Sequence, residues 1–455
     1  SSRSDLMQCE STNSGSAELD AIAARAWAVD SWRKYESMQM ATYEDQDTYK
    51  QVMDKLKELP PLVSHAEVDQ LRERLAACAR GESFVIQGGD CAERFMDCTG
   101  GRLDEQLKLM VQMGAIIAAS TGKKVVRVAR IAGQYGKPRS KPMETLPDIG
   151  EVYSFKGDNI NGYEPAARKW DPKRLLEGYW HSAATLNYLR TLQMDEEAEQ
   201  AMLAKLSVDF LQSSPSFTKW SKVATLARDT PEVGAAAVFT SHEAMQLDLE
   251  EALTRAVPGK GTYNLSAHMV WIGDRTRQLL GGHVEYFRGL ANPVGCKVGP
   301  SMKEKELEDL VKILNPDRIE GKLVLITRYG VSKIEEYLPK HIRAVAASGV
   351  PVVWECDGVH GNTVTAAANK LKTRSFDDVL GECTKALSIH RANGSVLAGI
   401  HLEMTGQSTV TECVGGTIGI SEEGLTANYE TYCDPRFNFA QGIEAALRMG
   451  EALSS

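Results

Sequence analysis

The feature that most constrains how this chain can fold is a rhythm. Eight short apolar or β-branched runs, at residues 84–86, 125–129, 238–240, 269–272, 294–298, 323–327, 350–354 and 398–402, recur along the sequence. Between most of them lie stretches with helical spacing, at 103–117, 276–290, 303–314, 334–347 and 376–390. Strands alternating with helices read as parallel βα units, and eight such units close a (β/α)8 barrel, an α/β fold of the TIM type. An open, doubly wound sheet would need a phosphate-binding glycine fingerprint after its first strand, and Gly88-Gly89-Asp90-Cys91 is not one.

Two segments fall outside the rhythm. Residues 1–80 read as a polar, Ser-rich tail followed by a helical extension. In it Leu19, Ile22, Ala23, Ala26 and Trp27 recur at helical spacing, Pro60-Pro61 breaks the pattern, and Val68, Leu71, Leu75 and Cys78 share one face. Residues 81–455 are expected to form the barrel itself. Within it more than a hundred residues separate the second and third runs, where one helix would suffice. The excess, about 156–232, is expected to be an inserted helical subdomain, with helices near 175–192 and 198–211.

A chain of 455 residues, 43% hydrophobic and 25% charged, can bury a large core. No apolar segment approaches the roughly 20 residues of a membrane span, and no secretory stretch opens the sequence, so a cytoplasmic protein is expected, or one of the plastid stroma after loss of a transit peptide. Nine scattered cysteines point to reduced thiols, available as ligands or nucleophiles. A net charge of −9 argues against nucleic acid as partner and makes local clusters of Lys and Arg more telling.

Active sites of such barrels lie at the C-terminal ends of the strands. The residues there are Cys91, Arg130, His242-Glu243, Asp274-Arg275, Lys297, Arg328, Asp357 with His360, and Glu403. They divide by chemistry. Cys91, His360 and Glu403, joined by Asp434, offer thiolate, imidazole and carboxylates, a mixed set suited to one borderline divalent ion in a catalytic site. Arg130, Lys137, Arg139, Arg275, Lys297 and Arg328 would focus an anionic substrate at the barrel mouth. Metal and cations together imply a small phosphorylated substrate bearing a carbonyl.

Several longer motifs narrow this. Gly88-Gly89-Asp90-Cys91-Ala92-Glu93, Arg130-Ile131-Ala132-Gly133-Gln134, Lys137-Pro138-Arg139-Ser140, Gly157-Asp158-Asn159-Ile160-Asn161-Gly162, Thr240-Ser241-His242-Glu243, Arg275-Thr276-Arg277-Gln278, His360-Gly361-Asn362-Thr363, the run from Gly399 to Gly406 and Cys433-Asp434-Pro435-Arg436 occur in this order. From about Trp32 to the C-terminus the chain resembles the class II (plant-like) 3-deoxy-D-arabino-heptulosonate 7-phosphate (DAHP) synthases. The resemblance implies condensation of phosphoenolpyruvate with erythrose 4-phosphate and water, the first step of the shikimate pathway. It implies metal ligation by Cys91, His360, Glu403 and Asp434, with Mn2+ or Co2+ foremost and Zn2+, Fe2+ or Cd2+ as alternatives. Arg130, Arg275, Lys297 and Arg328, with Asp274 beside them, would hold phosphoenolpyruvate. Lys137, Arg139 and Ser140 would take erythrose 4-phosphate. Lys137, Lys297 and the Asp357/His360 pair are the candidates for moving protons.

The chain departs from the family pattern at Asp274, where Glu is usual, at Leu280-Gly281-Gly282, at Tyr329 and at Gly358-Val359. These leave open a paralogue acting on a related (amino)sugar phosphate in secondary metabolism; a generic metal-dependent aldolase is a further alternative. The resemblance also implies a homo-oligomer and feedback by aromatic amino acids, with the extension and the insertion as places for both. Cys433, next to Asp434, is expected near Cys91 and able to pair with it when the metal is absent.

Overall fold

Strand residues alternate between two faces, and that alternation organises this molecule. The computed structural model describes residues 25–146, 148–229 and 237–455. In it β1 (Ser83–Gly89), β2 (Lys124–Arg130), β3 (Val238–Glu243), β4 (Met269–Ile272), β5 (Val294–Val298), β6 (Leu323–Thr327), β7 (Val353–Asp357) and β8 (Gly399–Glu403) form a closed barrel. Each strand pairs in parallel with its sequence neighbours, and β8 pairs with β1. One face of each strand, exemplified by Phe84, Ile86, Val270, Ile272, Leu323 and Leu325, is buried in the large core shared with the surrounding helices.

The opposite faces fill the barrel. At the N-terminal end of the strands this filling is apolar: Val85, Val126, Val128, Phe239, Met269, Trp271, Val324, Ile326 and Val353 pack together with Leu71, Leu75 and Cys78 of the helix His65–Ala79. That helix starts in a capping box between Ser64 and Glu67 and plugs the bottom of the barrel. Further along the same inward faces come Gln87, Arg130, Ser241, Lys297, Arg328, Glu355, Asp357 and His401. The polar end is therefore the C-terminal mouth, as expected for this fold.

Several local expectations shift. Strand β7 begins at Val353 rather than at residue 350, because Pro351 has no N–H to give to a ladder. The stretch 276–290 is helical only over Gly282–Arg288, with the extended Gly281 as its N-cap. Leu19, Ile22 and Ala23 lie outside the described residues, and Ala26-Trp27 is not helical; Trp27 Nε1 instead donates to Glu285 O at 2.9 Å. Between β2 and β3 the helices Lys173–Gln193, Glu196–Ala204 and Phe217–Asp229 occupy the expected insertion. They are preceded by an antiparallel hairpin, Met143–Leu146 with Gly150–Tyr153. No described helix is long and apolar enough to cross a membrane.

Candidate active site and metal centre

The centre is assembled from opposite ends of the sequence. Strand β1 runs into Asp90-Cys91, and β8, hydrogen-bonded beside it, ends at Glu403. Asp434 comes from the last loop, which is fastened by Arg436: its guanidinium forks onto Glu412 at 2.7 and 3.0 Å and reaches Asp90 Oδ1 at 2.6 Å. The Asp434 amide then donates to Cys91 Sγ at 3.4 Å. Ligand atoms of Cys91, Glu403 and Asp434 all lie within 4.8 Å of one another. His360 stands at their edge, with Nε2 3.1 Å from Glu403 Oε1 and Nδ1 2.7 Å from Asp357 Oδ2.

This donor set fits a divalent cation, and the place such a charge would favour is marked by an ammonium. Lys137 Nζ is 2.9 Å from Cys91 Sγ, 2.9 Å from Asp434 Oδ2 and 3.4 Å from Glu403 Oε1. Burial opposes its charge, but Asp434, Cys91 and Glu403 outweigh that and hold Lys137 well above the usual range. Burial likewise opposes charge on Glu403, yet His360, Lys137, Arg374 and Arg130 keep it well below the usual carboxylate range. Arg374 is 2.8 Å from Glu403 Oε2 but off the line of a hydrogen bond, so that oxygen keeps a free lone pair. Burial pushes the Cys91 thiol up, which a bound metal would reverse, because the thiolate is the ligand.

The expected cations converge beside it. Arg130 is fixed by Asp90 O at 2.8 Å, Cys91 O at 3.1 Å and Glu403 Oε1 at 2.9 Å. Lys297 Nζ is 2.5 Å from Asp357 Oδ2. Burial lowers Lys297 below its usual value despite that partner, and Asp357 is held well below its own against burial by His360 and Lys297. Arg328 donates to Asp274 Oδ2 at 2.9 Å, while Asp274 Oδ1 accepts from Arg277 at 3.0 Å. Asp274 thus steadies Arg328. Arg275 Nη2 meets Ser140 Oγ at 3.0 Å, joining the two groups of anion-binding residues. A cavity of about 800 Å3 is lined by Lys137, Arg139, Ser140, Asp274, Arg275, Lys297, Arg328, His360 and Asp434 among others.

Three further residues belong to this site. Glu243 lines the cavity, whereas its neighbour His242 points away to Glu250 at 2.7 Å, as alternation along β3 requires. Glu243 Oε1 is buried without a hydrogen-bond partner, burial pushes its carboxyl up, and a Cβ on Gly273 would come within 2.0 Å of it. His401 and Gln87 form a column beneath the cations. A guanidinium only donates, so His401 Nε2 accepts from Arg130 at 2.7 Å and lies 3.0 Å from Lys297 Nζ. Its Nδ1 then donates to Gln87 Oε1 at 2.6 Å, Gln87 Nε2 to Ser241 Oγ at 2.9 Å, and Ser241 to Ala129 O at 3.1 Å. The signal for these residues was parity with the inward positions Arg130, Asp357 and Glu403.

Comparison with known proteins agrees with this geometry. A phospho-2-dehydro-3-deoxyheptonate aldolase of Neurospora crassa is 41% identical over 462 residues, covering 94% of each chain. Another, of Streptomyces coelicolor, is 41% identical over 438 residues, covering 93% of this chain and 97% of its own. The family model described as the class-II DAHP synthetase family matches residues 27–450, so the chain belongs to that family.

Proposed function

We propose that this protein is a DAHP synthase, joining phosphoenolpyruvate to erythrose 4-phosphate with water and releasing phosphate. The observation that carries the reading is one cavity lined by Lys137, Arg139, Ser140, Arg275, Lys297 and Arg328, with the cluster of Cys91, Glu403 and Asp434 beside it. So many cations along one cavity suit two phosphorylated substrates, where a generic aldolase would need to hold one.

In this reading Arg130, Lys297, Arg328 and Arg275 bind the carboxylate and phosphate of phosphoenolpyruvate, and Arg139 and Ser140 the phosphate of the aldehyde substrate. A divalent ion held by Cys91, Glu403 and Asp434, with His360 at their edge, would supply Lewis acidity toward the aldehyde oxygen. Mn2+ or Co2+ is the proposed occupant, consistent with mixed sulfur, nitrogen and oxygen donors. When C3 of phosphoenolpyruvate attacks the aldehyde carbon, that oxygen becomes a hydroxyl and needs a proton. Lys137, kept protonated, can donate it. Water then adds at C2 before the phosphate leaves. Glu243, with an unpartnered buried oxygen, is placed to take the proton of that water. The Asp357/His360 pair supports Lys297 and Glu403.

We also propose that the protein self-associates through its insertion, where Trp180 and Met194 are 51% and 86% exposed, and that aromatic amino acids act as effectors. The described cysteines are all unpaired, which supports a reducing compartment. The deciding assay follows phosphoenolpyruvate consumption with and without erythrose 4-phosphate, after chelation and after metal is added back. Consumption only with both aldehyde and metal is expected. Consumption without the aldehyde would overturn the reading.

A further inference from the structure

The loop Lys137-Pro138-Arg139-Ser140 is held by a brace that begins outside the barrel. Gln39, in the N-terminal extension, has φ 68°, in the left-handed region that Gln rarely adopts. This conformation lets one residue reach in two directions. Its side-chain Oε1 accepts from the Arg139 amide at 2.9 Å, and its main-chain carbonyl accepts from Lys156 Nζ at 2.6 Å. Lys156 in turn uses its own carbonyl to accept from the Lys137 amide at 2.8 Å. Lys137, Lys156, Gln39 and Arg139 therefore close a ring of contacts.

Each corner of that ring is fixed. Lys156 is 5% exposed, its ammonium lies 5.5 Å from the centre of the Trp170 ring, and its amide donates to Asn161 Oδ1 at 2.8 Å. Beside it Gly157, at φ 108°, passes so close to Tyr135 that a Cβ would fall 1.6 Å from the Tyr135 carbonyl oxygen. The extension is anchored on both sides of Gln39. Trp32 Nε1 donates to Glu251 Oε2 at 2.9 Å, the Gly282 amide to Glu36 O at 2.9 Å, and the Ala41 amide to Gln246 Oε1 at 3.2 Å. Gln39 is thus a fixed point on the barrel and not the end of a loose arm.

We infer that Gln39 is a positioning residue for the phosphate-bearing aldehyde substrate: it sets the backbone that presents Arg139 and Ser140, while touching no substrate itself. The inference rests on the assignment of those two residues proposed above. Pro138 has no N–H, so the Arg139 amide is the point at which this loop can be gripped between Lys137 and Ser140. A grip at the backbone leaves the guanidinium, 3.6 Å from Glu144 Oε2, at the cavity wall.

The test compares Gln39→Met, which keeps length but removes the acceptor, with Gln39→Glu, which restores an acceptor oxygen at the same reach. In metal-loaded enzyme, Gln39→Met is expected to raise KM for erythrose 4-phosphate about tenfold, the worth of one well-placed hydrogen bond, with KM for phosphoenolpyruvate within about twofold of the parent. Gln39→Glu should recover most of that loss. Hydrogen exchange at the Arg139 amide should be slow in the parent and in Gln39→Glu and fast in Gln39→Met. An unchanged aldehyde KM in Gln39→Met, equal rises in both KM values, or unaltered exchange at Arg139 would overturn the inference. If Gln39→Met fails to fold, exchange at Arg139 in the parent decides: protection supports the brace, and exchange at a free-loop rate refutes it. If the parent does not consume both substrates, the functional reading fails, and the exchange comparison still judges the Gln39 contact.

Discussion

The ammonium of Lys137 lies 2.9 Å from the sulfur of Cys91, at the point where the carboxylates of Glu403 and Asp434 also converge. A buried thiol and two carboxylates so close together favour positive charge, and the Lys137 ammonium supplies one such charge. The pair therefore locates both the proposed metal and the proposed proton donor within one hydrogen-bond length.

The first prediction concerns that thiol. Cys91→Ser replaces sulfur by a smaller, harder and far less acidic donor in a fully buried position. Metal affinity should fall by at least about a hundredfold, and condensation with it, while the circular dichroism spectrum stays that of the parent. Stoichiometric metal by elemental analysis together with full activity would remove Cys91 from the ligand set.

The second separates the two anion pockets. Arg328 sits beside Asp274 and His360, and Arg139 beside Glu144. Arg328→Gln should raise KM for phosphoenolpyruvate, and Arg139→Gln that for erythrose 4-phosphate, each by about ten- to a hundredfold through loss of a charge-assisted contact. The opposite pattern in initial-rate measurements would mean the two pockets are exchanged.

The third concerns acid stability, away from the site. Burial pushes His390 down to about 3, so the folded state resists protonation that the unfolded chain accepts near 6.5. Stability contributed by neutral His390 is present above pH 6.5 and is lost as the pH falls below it, at about 1.4 kcal/mol per unit. Between pH 7 and pH 5 the parent should lose about 2 kcal/mol more than His390→Asn. Denaturant titrations at the two pH values provide the comparison, and parallel losses would show that this imidazole does not contribute.

The fourth concerns oxidation. The side chains of Cys91 and Cys433 are buried in one small cluster with Phe155. Treatment of chelated enzyme with diamide should join them, the two thiols losing two protons and two electrons to the diazene. Activity should then fall and return with thiol reductant plus metal. Mass spectrometry should find the crosslink, and Cys433→Ala should resist inactivation. Inactivation of that variant at the parent's rate would disprove the mechanism.

Much of this was legible in the sequence because the signals are local. Strand spacing, β-branched runs and the positions just past them reflect the two-residue repeat of a strand, and that repeat assigns Arg130, Lys297, Arg328, Asp357 and Glu403 to one barrel mouth. The same repeat, applied strictly, turns His242 outward and Glu243 and His401 inward. The hairpin from Met143 to Tyr153 is not legible in the sequence, because its two strands of four residues are too short to carry a periodic signal.

The sequence by itself determined the fold class, the barrel's polar end and the chemical kinds of residue gathered there, since each follows from near-neighbour spacing along the chain. Only the tertiary structure decided which of those residues touch. Cys91 and Asp434 are 343 positions apart, and their meeting depends on β1 lying beside β8 and on Arg436 fastening the last loop to Asp90 and Glu412. Gln39 and Arg139 meet because Trp32 and Ala41 anchor the extension to the barrel. Such contacts depend on how separate elements pack, and spacing within one element carries no record of the partner it will meet.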